Sequence, residues 1–363
     1  MQRVGTMEEV VQKRETGDRK IYIIGAGKDG KTACRTLLDK GVEVSGFIDE
    51  DKRKRGLSYY GVPVYQPDDI KVSDIGLGII CIGAFAYLDD EDILGHRVLN
   101  GIPSENLLLL DRGISIWKVL RAELESRQID MDASILDICG MRLPNYLKMN
   151  RNVRQTFLTE SCDLILPYFF HNQSVMDEGP YEDGTFGLSN FTGGVIVDCG
   201  ANLGLFAARA AMNPSNHVYA FEPVVKSLHY LWQVAALYPN IRVCEKAITD
   251  HVGTVEMSCT DILGQNKMLE AGDGIEVNCT SIDAFVEERG LERVDFIKAD
   301  IEGAERYMLR GARNTLERYA PKLSICEYHL DDDPEVLERL ILEANSDYLV
   351  QHRYRKIYAY VPQ

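Results

Sequence analysis

A chain of 363 residues is longer than a single hydrophobic core usually supports, so its length predicts two domains. Its hydrophobic share of 45% and charged share of 26% are typical of a soluble globular protein, and no apolar run predicts a membrane span. The formal net charge of −16 argues against a nucleic-acid partner, because phosphate binding needs clustered Lys and Arg.

Two further features of the sequence bear on location and on metal binding. Residues 1–19 are charged throughout and lack the apolar core of a signal peptide, so we expect a cytoplasmic protein. The nine cysteines are scattered without a CxxC pair, which indicates neither a zinc site nor a disulfide framework. The basic run KRKR at 52–55 is typical of a solvated turn after a strand, and a phosphate grip is the alternative.

One pattern of elements occurs twice along the chain. An apolar strand precedes a glycine-rich turn, a helix and a second strand with an acidic end; the strands lie at 20–24 and 42–48, then at 194–199 and 217–222. This alternation predicts right-handed βαβ units on parallel sheets, and therefore two Rossmann-like α/β domains. We divide the chain into a charged segment, a smaller N-terminal domain, a helical linker and a C-terminal domain, at 1–19, 20–112, 113–180 and 181–363.

The first glycine-rich turn, GAGKDG, has the GxGxxG spacing of dinucleotide-binding domains. In that spacing Gly25 makes the tight turn, Gly27 lets the backbone approach a diphosphate, and Gly30 packs the helix on the strand. Asp49, at the end of the next strand, is placed to hold ribose hydroxyls. These residues predict a nucleotide site, and a tight turn without a ligand is the alternative.

The second turn differs in its chemistry, because Asp198 precedes a GxxxG spacing formed by Gly200 and Gly204. S-adenosylmethionine has no diphosphate, but it carries an α-amino group and a sulfonium, whose positive charges suit an acidic residue at a strand end. The two glycines let the backbone pass close to such a ligand, and Glu222 is placed to accept hydrogen bonds from two ribose hydroxyls. The turn therefore predicts S-adenosylmethionine as the cofactor.

The segments around this turn support the same prediction of a cofactor site. Just before it, GPYEDGTFGL is expected to cross the cofactor, with Tyr181 or Glu182 in contact. After it come apolar strands whose C-terminal ends carry polar residues, which is where open α/β sheets bind ligands. The chain closes with DYLVQHRYRKIYAYVP, which predicts two strands joined by a tight basic turn.

Four blocks of the C-terminal half resemble the FkbM-type methyltransferases: VDCGANLGLFAARAA, VYAFEPVVKSL, KAITDHVGTVEM, and the stretch from CTSIDAF to ICEYH. The resemblance covers residues 181–363. It implies the class I methyltransferase fold, a Rossmann-like seven-stranded sheet with a C-terminal antiparallel hairpin, and methylation of a hydroxyl on a sugar, glycan or natural-product intermediate. It implies a cofactor site in which Ala247 faces the adenine and Asp300 lies beside the transferred methyl, with these members: Asp198, Gly200, Ala201, Asn202, Gly204, Glu222, Pro223, Ala247 and Asp300.

The N-terminal copy is similar to the nucleotide-binding domain that precedes sugar O-acyltransferases. The similarity covers about residues 20–112 and lies in IIGAGKDG, FIDED, GVPVYQPDDI and CIGAF. It implies that a nucleotide or sugar nucleotide binds to Gly25, Gly27, Gly30 and Asp49.

Catalytic candidates follow from the chemistry of methyl transfer, an in-line displacement that needs positioning and a base for the hydroxyl. Asp300 and Glu302 follow a strand end, where they serve as base or bind substrate, or else complement the dipole of the next helix. Glu305 is expected to be structural. His329, which ends the strand SICEYH, is the second candidate base, with an ordinary surface group as the alternative. A metal held by Asp300, Glu302 and His329 has no clustered ligand signature, and none is predicted.

The leading hypothesis is an S-adenosylmethionine-dependent O-methyltransferase with a small-molecule or glycan acceptor, and a homo-oligomer is left open. One alternative is a bifunctional protein with an NAD-dependent oxidoreductase domain at its N-terminus, although no Tyr-x-x-x-Lys arrangement lies within that domain. Another is a catalytically inert nucleotide-binding regulatory protein, against which the intact set of cofactor residues speaks.

Overall fold

A computed structural model describes residues 2–4, 20–81, 101–110, 116–171, 180–182, 193–258, 263, 266–269, 274–330 and 332–362. The chain divides into two compact units, Met1–Arg121 and Ala122–Gln363. Among the described residues, no helix is both long and apolar enough to cross a membrane.

Seven described strands of the first unit form one sheet: β1 (Gln2–Val4), β2 (Ile21–Ile24), β3 (Gly46–Ile48), β4 (Ser58–Tyr59), β5 (Val62–Tyr65), β6 (Leu77–Cys81) and β7 (Leu107–Leu110). Their order is β1-β7-β6-β2-β3-β5-β4, and all neighbours are parallel except β4 and β5. Helix α1 (Lys28–Asp39) connects β2 to β3 and packs Ala33, Cys34 and Leu37 into the core. The N-terminal α/β domain therefore contains the βαβ unit that the first glycine-rich turn predicts.

Strand β1 differs from the expectation that residues 1–19 precede the first domain. Gln2–Val4 pairs in parallel with β7 and extends the sheet at its edge. Three residues are too short to show a strand periodicity, and the pairing is made by backbone groups, so the sequence pattern gives no sign of it.

The stretch predicted as a helical linker contains strands as well as helices. Its described elements are α2 (Ile116–Ser126), which spans the boundary between the units, β8 (Ile135–Ile138), β9 (Met141–Pro144), α3 (Arg151–Leu164) and α4 (Leu166–Phe169). The hydroxyl of Tyr146 donates to the carbonyl of Leu203 over 2.7 Å, and that of Tyr238 accepts from the N–H of Arg142 over 2.6 Å. From Ala122 onward the stretch is therefore part of the second unit.

The remaining strands of the second unit are β10 (Val195–Cys199), β11 (His217–Phe221), β12 (Ile241–Cys244), β13 (Ala247–Ile248), β14 (Gly253–Met257), β15 (Met268–Leu269), β16 (Ile275–Thr280), β17 (Phe296–Ala299), β18 (Lys322–Cys326), β19 (Leu349–Arg353) and β20 (Lys356–Tyr360). The helices are α5 (Leu205–Ala211), α6 (Val225–Ala235), α7 (Ile282–Arg289), α8 (Glu305–Arg310), α9 (Arg313–Tyr319) and α10 (Asp333–Ala344).

The main sheet of this unit has the order β12-β11-β10-β17-β18-β20-β19. The first five strands are parallel, and β20 is antiparallel to both β18 and β19. The central strand β10 is buried along its whole length, as expected for a parallel strand covered on both faces. Tyr354 and Arg355 both have positive φ between β19 and β20, as a tight hairpin turn requires. The prediction of a seven-stranded sheet with a C-terminal antiparallel hairpin is confirmed.

Candidate active site

The turn after β10 carries most of the residues predicted to bind the cofactor. Gly200 has a φ of +82°, and a Cβ on it would lie 2.0 Å from the carbonyl oxygen of Asp300 at the end of β17. The N–H groups of Gly200 and Ala201 donate to the carbonyl of Phe221, at the end of β11, over 3.1 and 2.9 Å. Gly204, with a φ of +88°, is the N-cap of α5. The turn therefore lies against the carboxyl ends of neighbouring parallel strands, where open α/β sheets bind ligands.

Glu222 holds this turn through its carboxylate. One oxygen accepts the backbone N–H of Asn202 and the other that of Val224, each over 2.9 Å. Burial raises the pKa of Glu222 to about 7, although these two hydrogen bonds oppose the shift. Because an ionised carboxylate offers about four acceptor positions, acceptor capacity is left for the ribose hydroxyls expected here.

Asp198 has a partner that the sequence did not predict. Its side chain is fully buried, and Nζ of Lys298, on the neighbouring strand β17, lies 3.2 Å from its Oδ1. Burial raises the pKa of Asp198, and the lysine opposes that shift. The same ammonium donates to the carbonyl of Gly200 over 2.6 Å. Lys298 therefore connects the buried carboxylate to the glycine turn.

The side chain of Asn202 is engaged by two residues outside the turn. Its Nδ2 donates to Oε1 of Glu160 over 2.8 Å, and its Oδ1 accepts from the hydroxyl of Ser227 over 3.0 Å. Glu160 lies on α3, where burial raises its pKa to about 8. Protein groups thus hold Asn202 in its left-handed conformation, with a φ of 45°.

An apolar cluster begins directly after Glu222. Pro223 is half-buried, and Val224 packs with Ala247, Met257 and Cys279. The residue expected to face the adenine therefore lies in an apolar environment close to the residue expected to hold the ribose.

Asp300 lies in a network of hydroxyl and cationic groups. The hydroxyl of Tyr181 donates to its Oδ2 over 2.5 Å, and that of Tyr328 to its Oδ1 over 3.4 Å. Burial opposes ionisation, but Lys298 and His329 outweigh it and hold the pKa of Asp300 below its usual value. Asp300 is therefore an ionised carboxylate at neutral pH.

His329 is buried rather than exposed at the surface, with 4% of its side chain accessible. Its Nδ1 lies 3.1 Å from Oε1 of Glu305, and its Nε2 lies 3.6 Å from Oδ1 of Asp300 and 3.9 Å from Oε2 of Glu302. Although burial alone would lower the pKa of His329, the carboxylates raise it to about 9. Burial raises the pKa of Glu302 to about 7, and Lys267, at 3.9 Å, opposes that shift.

The three residues predicted as catalytic thus lie together, and Glu305 joins them from the start of α8. Its two oxygens accept the backbone N–H groups of Ile301 and Gly303 over 2.8 and 3.0 Å. Asp300, Glu305 and His329 each offer a ligand atom within 4.8 Å of the others. The sequence predicted no metal site, because these residues form a cluster only after folding.

Residues 198–354 match the family model described as the methyltransferase FkbM domain. This segment is an FkbM methyltransferase domain. Among curated proteins, the chain is 26% identical over 144 residues to the 2-O-methyltransferase NoeI of Sinorhizobium fredii, covering 34% of this chain and 59% of that protein. It is 26% identical over 153 residues to the hexuronic acid methyltransferase AglP of Haloferax volcanii, covering 41% and 62%. The chain thus spans about three fifths of the length of these curated relatives.

Two solved structures are also similar to the chain. The crystal structure of methyltransferase FkbM from Methylobacillus flagellatus KT has 20% identity and a TM-score of 0.43, with 98% of this chain and 94% of that chain covered. The structure of Aeropyrum pernix fibrillarin with bound S-adenosyl-L-methionine has 16% identity and a TM-score of 0.29, with 47% and 66% covered.

Three residues that contribute to the site were not predicted from the sequence. Lys298 is a charged residue inside the apolar strand FIKA, which is a detectable signal, but nothing in the pattern identifies its partner. Glu160 and Ser227 lie on helices, and residues of these two types usually lie on the exposed face of a helix. Of the two residues expected near the cofactor, Tyr181 contacts Asp300, and Glu182 is buried with its Oε1 3.4 Å from Arg209.

The glycine-rich turn of the first unit has the local geometry that its spacing predicts. Gly25 has a φ of +94°, and a Cβ on Gly30 would lie 2.0 Å from the carbonyl oxygen of Gly25, so the helix packs closely on the turn. Gly27 is exposed, and a Cβ on it would meet nothing within 4 Å. Asp49 accepts the N–H of Ala26 over 2.7 Å. The nucleotide expected at this turn stays a prediction.

The basic run at 52–55 lies among carboxylates. Lys54 contacts Asp49 at 2.9 Å, Arg53 contacts Asp51 at 2.9 Å, and Arg55 contacts Asp69 at 2.6 Å. These pairs favour the solvated turn over the phosphate grip, because three of the four cations in the run already face an anionic group.

Proposed function

We propose that this protein is an S-adenosylmethionine-dependent methyltransferase that methylates a hydroxyl oxygen of a sugar or glycan. The observation that carries the proposal is the contact of Asn202 with Glu222, which joins the glycine turn to an acidic strand tip inside an FkbM domain. The names of the two curated relatives, a 2-O-methyltransferase and a hexuronic acid methyltransferase, support oxygen as the methylated atom and a hexuronic acid as the acceptor class.

In this proposal the turn and the neighbouring apolar cluster hold the cofactor. Glu222 accepts the ribose hydroxyls, Ala247 and Pro223 border the adenine, and the buried Asp198 favours the positively charged end of the ligand. The remaining contacts with the cofactor come from the backbone of the turn, where the residues are small or have a left-handed backbone conformation: Gly200, Ala201, Asn202 and Gly204.

Asp300, Glu302 and His329 form the acceptor side of the site. S-adenosylmethionine supplies a methyl group activated by its sulfonium. The ionised carboxylate of Asp300 accepts a hydrogen bond from the acceptor hydroxyl and aims its oxygen, while Tyr181 and Tyr328 fix the carboxylate. Correct orientation of the reacting atoms accounts for a large part of the rate enhancement in such a displacement.

The first test is binding of S-adenosylhomocysteine to the full chain by titration calorimetry. We expect saturable binding that Glu222→Gln weakens about tenfold or more, because an amide nitrogen cannot accept the hydrogen bonds that the second oxygen accepts. Glu245→Gln is the matched control, since Glu245 is an exposed carboxylate of the same unit that accepts from Trp232. Absence of heat with the wild-type chain would overturn the proposed function.

The affinity is also expected to depend on pH through Glu222. Burial raises its pKa to about 7, so the group is protonated at lower pH and then offers fewer acceptor positions. Affinity for S-adenosylhomocysteine should therefore rise as the pH passes upward through about 7, and Glu222→Gln should flatten that rise. An identical pH profile in the two proteins would remove Glu222 from the ribose site.

The second test follows transfer to hexuronic acid glycosides by the release of S-adenosylhomocysteine. We expect Asp300→Asn to lower turnover about tenfold or more and to change S-adenosylhomocysteine affinity much less. Unchanged turnover would assign the acceptor side to other residues, and transfer to a nitrogen or carbon acceptor alone would contradict the proposed substrate class.

A further inference from the structure

We propose that Asp300, Glu302 and His329 bind a divalent transition-metal cation such as Mn²⁺ on the acceptor side of the FkbM domain. The inference rests on the proposed function and deepens it, because the cation would hold the acceptor oxygen. Two independent features carry it, namely the distances within the cluster and the state of the buried imidazole.

The distances suit ligands that share an ion. Nε2 of His329 lies 3.6 Å from Oδ1 of Asp300 and 3.9 Å from Oε2 of Glu302, which is too long for hydrogen bonds. Ligand atoms that each lie about 2.1 Å from one ion are roughly 3.0 to 4.2 Å apart, depending on the angle between them. Both carboxylates therefore already stand, relative to the imidazole nitrogen, at the separations of ligands that share one ion.

The imidazole itself points to a ligand at this position. Only 4% of the His329 side chain is accessible, and among the described residues its Nε2 has no hydrogen-bond partner. A buried polar group without such a bond carries a free-energy cost, which ligation of Nε2 would relieve. On the opposite side of the ring, Nδ1 faces Glu305 at 3.1 Å, the arrangement by which carboxylates orient metal-binding histidines.

Glu305 fits the orienting role better than that of a ligand. Both of its oxygens already accept backbone N–H groups, from Ile301 and Gly303, so its position is fixed by the chain. Glu302 is less constrained, with 21% of its side chain accessible and Lys267 at 3.9 Å. We therefore assign ligation to Glu302 and orientation of the imidazole to Glu305.

Charge and donor type favour a transition metal. Three carboxylates, of Asp300, Glu302 and Glu305, face one imidazole, so a cation would offset their repulsion. A set of imidazole nitrogen and carboxylate oxygen suits Mn²⁺, Zn²⁺ or Fe²⁺, whereas Mg²⁺ and Ca²⁺ prefer oxygen alone. A protonated His329 that neutralises the cluster by itself is the competing account.

The cation would act as a Lewis acid on the acceptor hydroxyl. Coordination makes the hydroxyl more acidic, and its proton passes to solvent water. The oxygen then forms a bond to the methyl carbon while the carbon–sulfur bond breaks, and the sulfur keeps that electron pair as the neutral thioether of S-adenosylhomocysteine. Charge and atoms balance without an oxidant or reductant.

The test is titration of the chelator-treated full chain with Mn²⁺, followed by the electron paramagnetic resonance signal of free Mn²⁺. We expect one saturable site per chain, with affinity lowered about tenfold or more in His329→Gln and in Glu302→Gln. His352→Gln is the matched control, because His352 also lies between two carboxylates, those of Glu327 at 2.6 Å and Glu338 at 3.2 Å, but is more exposed. We expect it to bind Mn²⁺ as the wild type does.

Each other outcome overturns the inference. These are the lack of saturable Mn²⁺ binding in the wild-type chain, unchanged binding in both variants of the cluster, or loss of binding in His352→Gln alone. S-adenosylhomocysteine calorimetry on the same metal-free samples separates the two proposals. If that ligand binds but Mn²⁺ does not, the metal site alone is overturned, and if that ligand does not bind, the proposed function is overturned. If His329→Gln does not fold, the Mn²⁺ affinity of Glu302→Gln, at the more exposed position, decides whether the cluster binds the cation.

Discussion

Lys298 shows how a single residue organises the cofactor side of the site. Its ammonium is buried on β17, 3.2 Å from Asp198 and 2.6 Å from the carbonyl of Gly200. Although burial disfavours the charged form, Asp198 and Asp300 hold the pKa of Lys298 above its usual value. The lysine is therefore a fixed buried cation whose removal leaves a buried carboxylate without its counter-ion.

We predict that Lys298→Met lowers the free energy of unfolding by about 3–5 kcal/mol, because breaking a buried ion pair leaves its partner uncompensated. Urea unfolding of the full chain measures the effect. The double variant Asp198→Asn with Lys298→Met is the control, and it should recover part of the loss, since the uncompensated charge is gone. A loss below about 1 kcal/mol in the single variant would show that the pair is not buried in solution.

At the scale of elements, the two glycine-rich turns have the same kind of hydrogen bond to the next strand and the same kind of close backbone contact. In each, an acidic residue at the tip of the second strand accepts an N–H of the turn: Asp49 from Ala26, and Glu222 from Asn202. In each, one glycine lies where a Cβ would overlap a carbonyl oxygen. The repeated sequence pattern thus corresponds to a repeated backbone arrangement, although the two turns differ in the ligand chemistry that they predict.

We predict that Gly200→Ala destabilises the chain by about 2 kcal/mol or more, because the left-handed φ and the overlap with the carbonyl of Asp300 both oppose a Cβ. It should also weaken S-adenosylhomocysteine binding, as the turn moves away from β17. Gly27→Ala is the matched control in the other turn, since its φ is −81° and its Cβ would meet open space. Thermal unfolding and calorimetry measure both effects, and equal stability of the two variants would contradict the close approach of the turn to β17.

At the scale of the molecule, the two units have separate hydrophobic cores. The core of the first contains Leu37 of α1, and that of the second contains Leu316 of α9. Because each core closes within its own unit, each unit has the packing that a cooperative folding transition requires.

We therefore predict two transitions in differential scanning calorimetry of the full chain. S-adenosylhomocysteine should raise the transition of Ala122–Gln363, because a ligand stabilises the unit that binds it. Leu37→Ala should lower the transition of Met1–Arg121 by removing about 2–5 kcal/mol of core packing. NAD and UDP-glucose, added separately, test the nucleotide expected at the first turn by the same shift. A single transition moved by both the ligand and the core variant would contradict independent units.

The sequence by itself determined the features that depend on neighbouring residues. Strand periodicity, the glycines at positions of positive φ such as Gly25, Gly200 and Gly204, and the basic hairpin turn at Tyr354 and Arg355 are local, so the order of elements and the class of fold followed from them. The grouping of the candidate site residues at the strand ends followed as well, because parallel strands place their carboxyl ends at one edge.

Only the tertiary structure decided which polar groups are buried together. The pairs Lys298 with Asp198, Asn202 with Glu160 and Tyr181 with Asp300 join residues that are distant in sequence. His329 had a surface group as its alternative, and folding buried it among three carboxylates. The physical reason is that the pKa and the free energy of a polar group depend on what the fold packs against it, and periodicity carries no information about that neighbour.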